Sequence, residues 1–327
     1  MKILITGAGG QLGHELVDAA NQAKNEVVGL TRAQLDVTDR GAVLQAMTAA
    51  RPQVIIHAAA WTAVDACEGD AAKAMLVNAT ATQHVVDAAR HVGARVVYVS
   101  TDYVFDGTNP SPYLETDTPN PQSVYGVSKL AGEQALDLAL DSVVRISWVC
   151  GYHGANMVKT ILRLAAEHDT LTFVDDQIGN PTMADDAARM IVHLATEQSG
   201  GIWHVTNQGV VSWYEFAREV LRAAGLDPAR VRPIPTRDLM PPRPAPRPHH
   251  AMAKKFPLHP KHPERICWGC DKYCPASSLQ CGNGSGRTQH PAEMLGDDWY
   301  LWGDWGITPD DDAALLAPVT PPVTGSS

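Results

Sequence analysis

The chain lacks several features, and each absence narrows what it can do. Nowhere in its 327 residues is there an apolar run of the ~18 residues that a membrane-spanning helix requires, so no membrane partner is expected. It has no cluster of basic residues: 26 Lys and Arg stand against 36 Asp and Glu, for a net charge of −10, which gives no face for nucleic acid. The opening segment, Met1-Lys2-Ile3-Leu4-Ile5-Thr6-Gly7, has neither a long apolar stretch nor a small-residue cleavage site. It reads as a buried strand entering a glycine turn rather than a leader, which makes cytoplasmic residence the default expectation. Cysteine is sparse along most of the chain. Cys67 and Cys150 stand alone, and the other four of six, Cys267, Cys270, Cys274 and Cys281, crowd together near the end.

What is present is a large apolar fraction, 45%, enough to bury a sizeable core. The length predicts two domains with room for a small third unit. Over residues 1–147, strand-like apolar runs (2–6, 26–30, 54–57, 95–100, 142–147) alternate with helix-length segments (11–23, 39–50, 73–92, 124–140). That alternation predicts an α/β fold, a Rossmann-type doubly wound parallel sheet. Residues 148–235 read as a smaller substrate-binding lobe, with helices at 154–167, 184–196 and 212–224 and strands at 171–174, 201–205 and 230–234. Helix 184–196 is expected to pack back on the first domain. Residues 236–263 are dense in proline and read as a linker, 264–306 as a Cys-rich module and 307–327 as a disordered tail.

The first strand runs into Gly7-Ala8-Gly9-Gly10-Gln11-Leu12-Gly13 and then a helix. Glycines at this spacing let the backbone turn tightly and approach a pyrophosphate, and the following helix offers free N–H groups and its positive dipole end. Strand, glycine triplet and helix in that order predict a dinucleotide site. At the end of the second strand, where NAD sites often carry an acid, the chain has Leu30-Thr31-Arg32. Arg32 can pair with a 2′-phosphate, so NADPH is the expected cofactor, with NADH left open. Asp36-Val37 follows within reach of an adenine, and the small residues Ala58, Ala59 and Ala60 allow close approach of a ribose.

The fourth strand delivers Ser100-Thr101-Asp102-Tyr103 to the carboxyl edge of the sheet, where ligands of such folds bind. Further on, Tyr125 and Lys129 occur at i and i+4, on one helix face. A nearby ammonium favours the phenolate, which suits Tyr125 to give a proton to a carbonyl oxygen as a hydride arrives. Lys129 is also placed to hold the nicotinamide ribose, and Thr101 to hydrogen-bond the substrate carbonyl.

These motifs resemble the extended short-chain dehydrogenase/reductase superfamily and, within it, the dTDP-4-dehydrorhamnose reductase family. The similarity runs over about residues 1–248 and is carried by 10–13 (GQLG), 58–65 (AAAWTAVD), 100–107 (STDYVFDG), 121–129 (PQSVYGVSK), 145–149 (RISWV) and 176–180 (DQIGN) with Pro181 and Thr182. The resemblance implies Thr101, Tyr125 and Lys129 as the catalytic trio. It implies Gly7, Gly10, Gln11, Leu12, Asp36, Val37, Ala58, Ala59 and Ala60 as cofactor contacts, to which the glycine motif adds Gly13. It implies Val104, Phe105 and Trp148 as residues that hold a dTDP-sugar, and a homodimer as the assembly. The reaction implied is reduction of the C4 ketone of dTDP-4-dehydro-L-rhamnose. Related dehydratases carry an acid after Thr-Asp where this chain has Tyr103, which favours reduction. Two alternatives stay open: a cofactor-binding regulatory subunit like that of methionine adenosyltransferase, and a nucleotide-sugar epimerase. The intact trio separates the first from an enzyme.

The chain departs from the family in two ways. Some members hold magnesium with glutamates; Glu15 matches one such position and Asp185 falls near a second, but no third is found. Past Arg243-Pro244 the family's closing helices are replaced, and residues 252–305 resemble a small uncharacterised bacterial family, as at a gene fusion or reading-frame junction. The spacing Cys267, Cys270, Cys274, Cys281 would let four thiolates meet one zinc ion or an iron–sulfur cluster.

Overall fold

The computed structural model describes residues 1–109 and 111–239. The first half lays down β1 (Lys2–Thr6), α1 (Gln11–Gln22), β2 (Glu26–Leu30), α2 (Arg40–Ala50), β3 (Val54–His57), α3 (Val64–Cys67), α4 (Ala71–Met75), α5 (Ala81–Val92) and β4 (Arg95–Thr101). It continues with α6 (Val124–Glu133), β5 (Ser142–Ile146), β6 (Val149–Cys150), α7 (Met157–Glu167), β7 (Leu171–Val174), β8 (Ile178–Gly179) and β9 (Thr182–Met183). Last come α8 (Ala184–Thr196), β10 (Gly201–His204), β11 (Val211–Ser212), α9 (Trp213–Ala223) and β12 (Val231–Ile234).

Six strands form one parallel sheet in the order β10-β5-β4-β3-β1-β2. Its central strands are buried throughout, as expected of strands covered on both faces. Helices α1 and α8 cover one face, with Leu16, Ala187 and Ile191 against Ile3, Ile5 and Ile56. On the other face α2 and α5 place Val43, Met47, Val85 and Ala89 against Leu4, Ile55 and Tyr98. The predicted doubly wound α/β sheet is therefore the fold of the described residues. Helix 184–196 packs back on it, and the strand read at 201–205 joins it as the edge strand β10, in register with β5. A smaller cluster around Ile161, Leu171, Phe216 and Leu221 forms a second core from α7, β7, α9 and β12.

Two elements differ from the sequence expectation for local reasons. The long helix expected over 73–92 is interrupted by a π-helical turn, Leu76–Thr80, between α4 and α5. The helix expected to reach residue 140 ends at Glu133. There Ala135 N bonds Gly132 O at 3.2 Å and Leu136 N bonds Glu133 O at 3.2 Å, tightening the last turn. The buried Asp141 carboxylate then accepts from Asp137 N at 3.1 Å and from Val96 N at 2.9 Å, tying the chain to β4. Among the described residues no helix is long and apolar enough to cross a membrane.

Candidate active site

The strand order reverses between β1 and β3, and this switch point opens the crevice in which such sheets bind ligands. Gly7 turns out of β1 with φ +72, and a Cβ there would lie 2.7 Å from Ala59 N, so only glycine lets the two strand ends meet. A Cβ on Gly13 would lie 2.1 Å from Gly7 O, which lets α1 seat directly against the turn. Gly10 begins that helix without a side-chain cap, leaving its first N–H groups free of any side-chain partner, while Gly9 and Gly10 are exposed. Uncapped N–H groups beside a cradle a Cβ would fill suit a pyrophosphate. Leu12 is buried in the core, so its contribution to such a site is confined to backbone. Gln11's side chain is already engaged: its Nε2 donates to Val149 O at 3.0 Å, and its Oε1 accepts from Asn156 Nδ2 at 2.9 Å. It clasps the turn to the segment leading into α7, which leaves only its backbone for a ligand.

Arg32 is exposed just past β2, beside Thr31, whose methyl would touch a Cβ on Gly9. Asp36 Oδ1 accepts from Thr38 N at 2.9 Å and Thr38 Oγ1 at 2.7 Å, which lowers its pKa below the ordinary carboxylate value. Val37 is buried, its carbonyl facing the His84 ring. Ala58, Ala59 and Ala60 are half-buried at the end of β3.

The carboxyl end of β4 places Thr101 against α6. The Tyr125 hydroxyl comes beside the Thr101 side chain, whose Oγ1 donates to Asp102 Oδ1 at 3.0 Å. Burial raises the Tyr125 pKa above that of a free phenol, partly offset by the Thr101 side chain. One turn on, Lys129 is buried, its Nζ donating to Val99 O at 2.8 Å and lying 4.0 Å from the centre of the Tyr98 ring. Burial lowers its pKa to about 7, and the Glu133 carboxylate pulls in the opposite direction.

Sequence reasoning missed Asn78. Its Oδ1 accepts from Trp61 N at 2.8 Å, and its Nδ2 donates to Trp61 O at 3.1 Å and to Ser128 Oγ at 3.0 Å. It sits in the π-helical turn, a distortion that accompanies functional sites but has no signature in residue type. Val104 and Phe105 point into the core, Phe105 stacked on Tyr113 at 4.2 Å, so their side chains do not line the crevice. Trp148 takes a left-handed backbone, φ 44, and stacks on Trp213 at 3.5 Å, with Gly179 held against its ring. Of the two acids matched to a magnesium site, Glu15 faces His153 at 4.0 Å and Asp185 pairs with Arg189 at 3.1 Å. Among the described residues no three His, Cys, Asp or Glu gather as a metal set. Cys267, Cys270, Cys274 and Cys281 lie outside the described residues.

A doubly wound sheet with a glycine turn at its switch point, Thr101 at the end of its fourth strand and Tyr125 and Lys129 one turn apart on the helix beside it is the arrangement of an extended short-chain dehydrogenase/reductase. Comparison with known proteins narrows the class. The family model for the RmlD substrate binding domain matches residues 1–258. A dTDP-4-dehydrorhamnose reductase of Mycobacterium tuberculosis is 44% identical over 254 residues, 75% of this chain and 82% of the relative. A dTDP-4-keto-6-deoxy-D-glucose reductase of Streptomyces niveus is 42% identical over 236 residues, 71% of this chain and 82% of the relative. The crystal structure of a Bacillus anthracis dTDP-4-dehydrorhamnose reductase in complex with NADP superposes with a TM-score of 0.74 at 38% identity, covering 78% of this chain and 91% of that one. The chain belongs to the dTDP-4-dehydrorhamnose reductase family. A second family model, for a protein of unknown function, matches residues 252–302.

Proposed function

We propose that the chain is an NADPH-dependent reductase of the C4 ketone of dTDP-4-dehydro-L-rhamnose, working in the cytoplasm. The observation that carries this reading is the buried Tyr125 hydroxyl beside the Thr101 side chain at the end of β4, with Lys129 buried one turn along the same helix. The glycine turn with its uncapped helix fits the pyrophosphate of the cofactor, and Arg32 the 2′-phosphate. When bound, NADPH supplies a hydride to the ketone carbon.

The residues of the chain supply the rest. Tyr125 donates a hydrogen bond to the carbonyl oxygen, and Thr101 joins it once its hydroxyl turns from Asp102 to the ligand, so charge developing there meets two donors. Burial keeps Tyr125 protonated at neutral pH, so its proton is available to pass to that oxygen as the C–O double bond becomes an alcohol. The Lys129 ammonium, one turn further along α6, stabilises the phenolate left behind. The test is NADPH consumption with dTDP-4-dehydro-L-rhamnose by the full chain and by Tyr125→Phe. Loss of about 10²-fold or more in kcat is expected for an absent proton donor. Equal rates would remove Tyr125 from the mechanism. Because one relative is a reductase of a different dTDP-ketosugar, that sugar belongs in the panel.

A further inference from the structure

We propose that Glu133 is a positioning residue for the reduction: its carboxylate locks α6 onto β4 and β5 and sets a buried negative charge one helical turn from Lys129. The inference rests on the reading of Tyr125 and Lys129 given above. Tyr125, Lys129 and Glu133 follow one another at steps of four on α6 and share one face. Glu133 Oε1 accepts from Ser100 Oγ at 2.5 Å and from Arg145 Nε at 3.0 Å, and its Oε2 accepts from Arg145 Nη2 at 2.7 Å. Ser100 immediately precedes Thr101 on β4, and Arg145 is its register partner on β5. A single carboxylate thus joins the helix of Tyr125 to the strand of Thr101, one residue from the hydroxyl that Tyr125 must meet.

Stability alone does not account for this arrangement. Glu133 and Arg145 are only 6% and 1% exposed, and a buried ion pair is often no more stabilising than an apolar pair of similar volume. What an apolar pair would not supply is charge. Burial of the Lys129 amine favours its neutral form, whereas its hydrogen bond to Val99 O and its place over the Tyr98 ring favour the ammonium. The ionisable groups around it are His57 from β3, kept neutral by burial; Tyr98 from β4; Arg145 from β5; and Asp102 and Tyr103 from the turn after β4. The short helices packed on α6 add Cys67, Glu68 and Lys73. Among these the Glu133 carboxylate is the charge that acts on Lys129 in favour of the ammonium, while it also neutralises Arg145.

The test is the pH profile of kcat for the full chain. Wild type loses activity on the alkaline side as Lys129 gives up its proton. Glu133→Gln should move that limb down by about one pH unit, so that kcat at pH 8 falls about tenfold relative to its value at pH 6. The KM for NADPH should stay within about twofold. Glu133→Asp keeps the charge and should restore the position of the limb. Because Glu133→Gln leaves Arg145 buried and unpaired, Glu133→Gln/Arg145→Gln removes both charges, and it should show a smaller shift in the same direction once near-ultraviolet circular dichroism confirms folding. An unmoved limb in a folded Gln variant overturns the inference. The companion variant Lys129→Met separates the two readings. If it is inactive while the Gln limb is unmoved, only the role of Glu133 falls; if it retains wild-type turnover, the catalytic assignment falls instead.

Discussion

Arg32 shows how much a single side chain can decide in an otherwise generic nucleotide site. It is exposed beyond β2, next to Thr31, and no acid stands at the strand end to repel a phosphate. An exposed guanidinium facing a dianionic phosphate gains what a solvent-screened pair gains, about 1 kcal/mol, which amounts to several-fold in affinity. Arg32→Ala should therefore raise the KM for NADPH by roughly fivefold to tenfold and leave that for NADH unchanged. A parallel rise for both cofactors would show that Arg32 supports the loop rather than the phosphate. The candidate site is legible in the sequence wherever the proposed chemistry needs a particular residue type at a particular spacing, as with Tyr125 and Lys129 or Gly7 and Gly13. It is not legible where a side chain of the right type is diverted. Gln11 lies in the glycine turn but spends its amide on Val149 and Asn156, and Val104 and Phe105 neighbour Thr101 yet face the core.

Helix α6 carries two of the three proposed catalytic residues, and its distance from the sheet is set by a glycine. A Cβ on Gly132 would lie 2.3 Å from the Tyr98 hydroxyl and 2.5 Å from Asn78 O, so at this turn the helix backbone rests directly on β4 and on the π-helical turn. Gly132→Ala has no room without moving α6 outward, an overpacking cost of about 1–3 kcal/mol against a small gain in helix propensity. The displacement would also draw Tyr125 from Thr101. We expect a lower thermal midpoint together with a drop in kcat larger than any change in the KM for NADPH, measured by thermal unfolding and steady-state kinetics. Unchanged turnover in a destabilised variant would mean that the helix position tolerates more play than the hydrogen bonds imply. The sheet and the helices on it followed from periodicity, because buried parallel strands are nearly continuous apolar runs. The early end of α6 did not, because it is imposed by Asp141, a residue of the next strand's approach, and local propensity contains no trace of that contact.

The titrating groups enclosed by the fold make its stability depend on pH in one direction over a wide range. His57 is fully buried between Thr6 and Thr82, and burial, with the Lys129 charge, lowers its pKa to about 3; burial lowers that of His204 as well. An unfolded histidine takes up a proton near pH 6.5, so below that value the unfolded chain binds more protons than the folded one and stability falls as pH falls. Each such histidine costs up to about 1.4 kcal/mol per pH unit in that window. Lys129 works in the same direction at higher pH. Its folded pKa of about 7 lies below the unfolded value, so from neutrality towards about pH 10 the unfolded state again holds the extra proton, and stability rises with pH. The buried groups Cys67, Cys150, Tyr98 and Tyr125 have raised pKa values and reverse the trend once their unfolded counterparts ionise, near pH 9 to 10. The cofactor-free protein should therefore be most stable on the alkaline side of neutrality, with a urea midpoint that climbs from pH 5 to pH 8 and turns over near pH 9. Lys129→Met should flatten the climb above pH 7 and leave the slope below pH 6.5 in place. A wild-type midpoint constant between pH 5 and pH 8 would mean that these groups reach water in the folded state, and with it the dry pocket on which proton donation by Tyr125 depends would be lost.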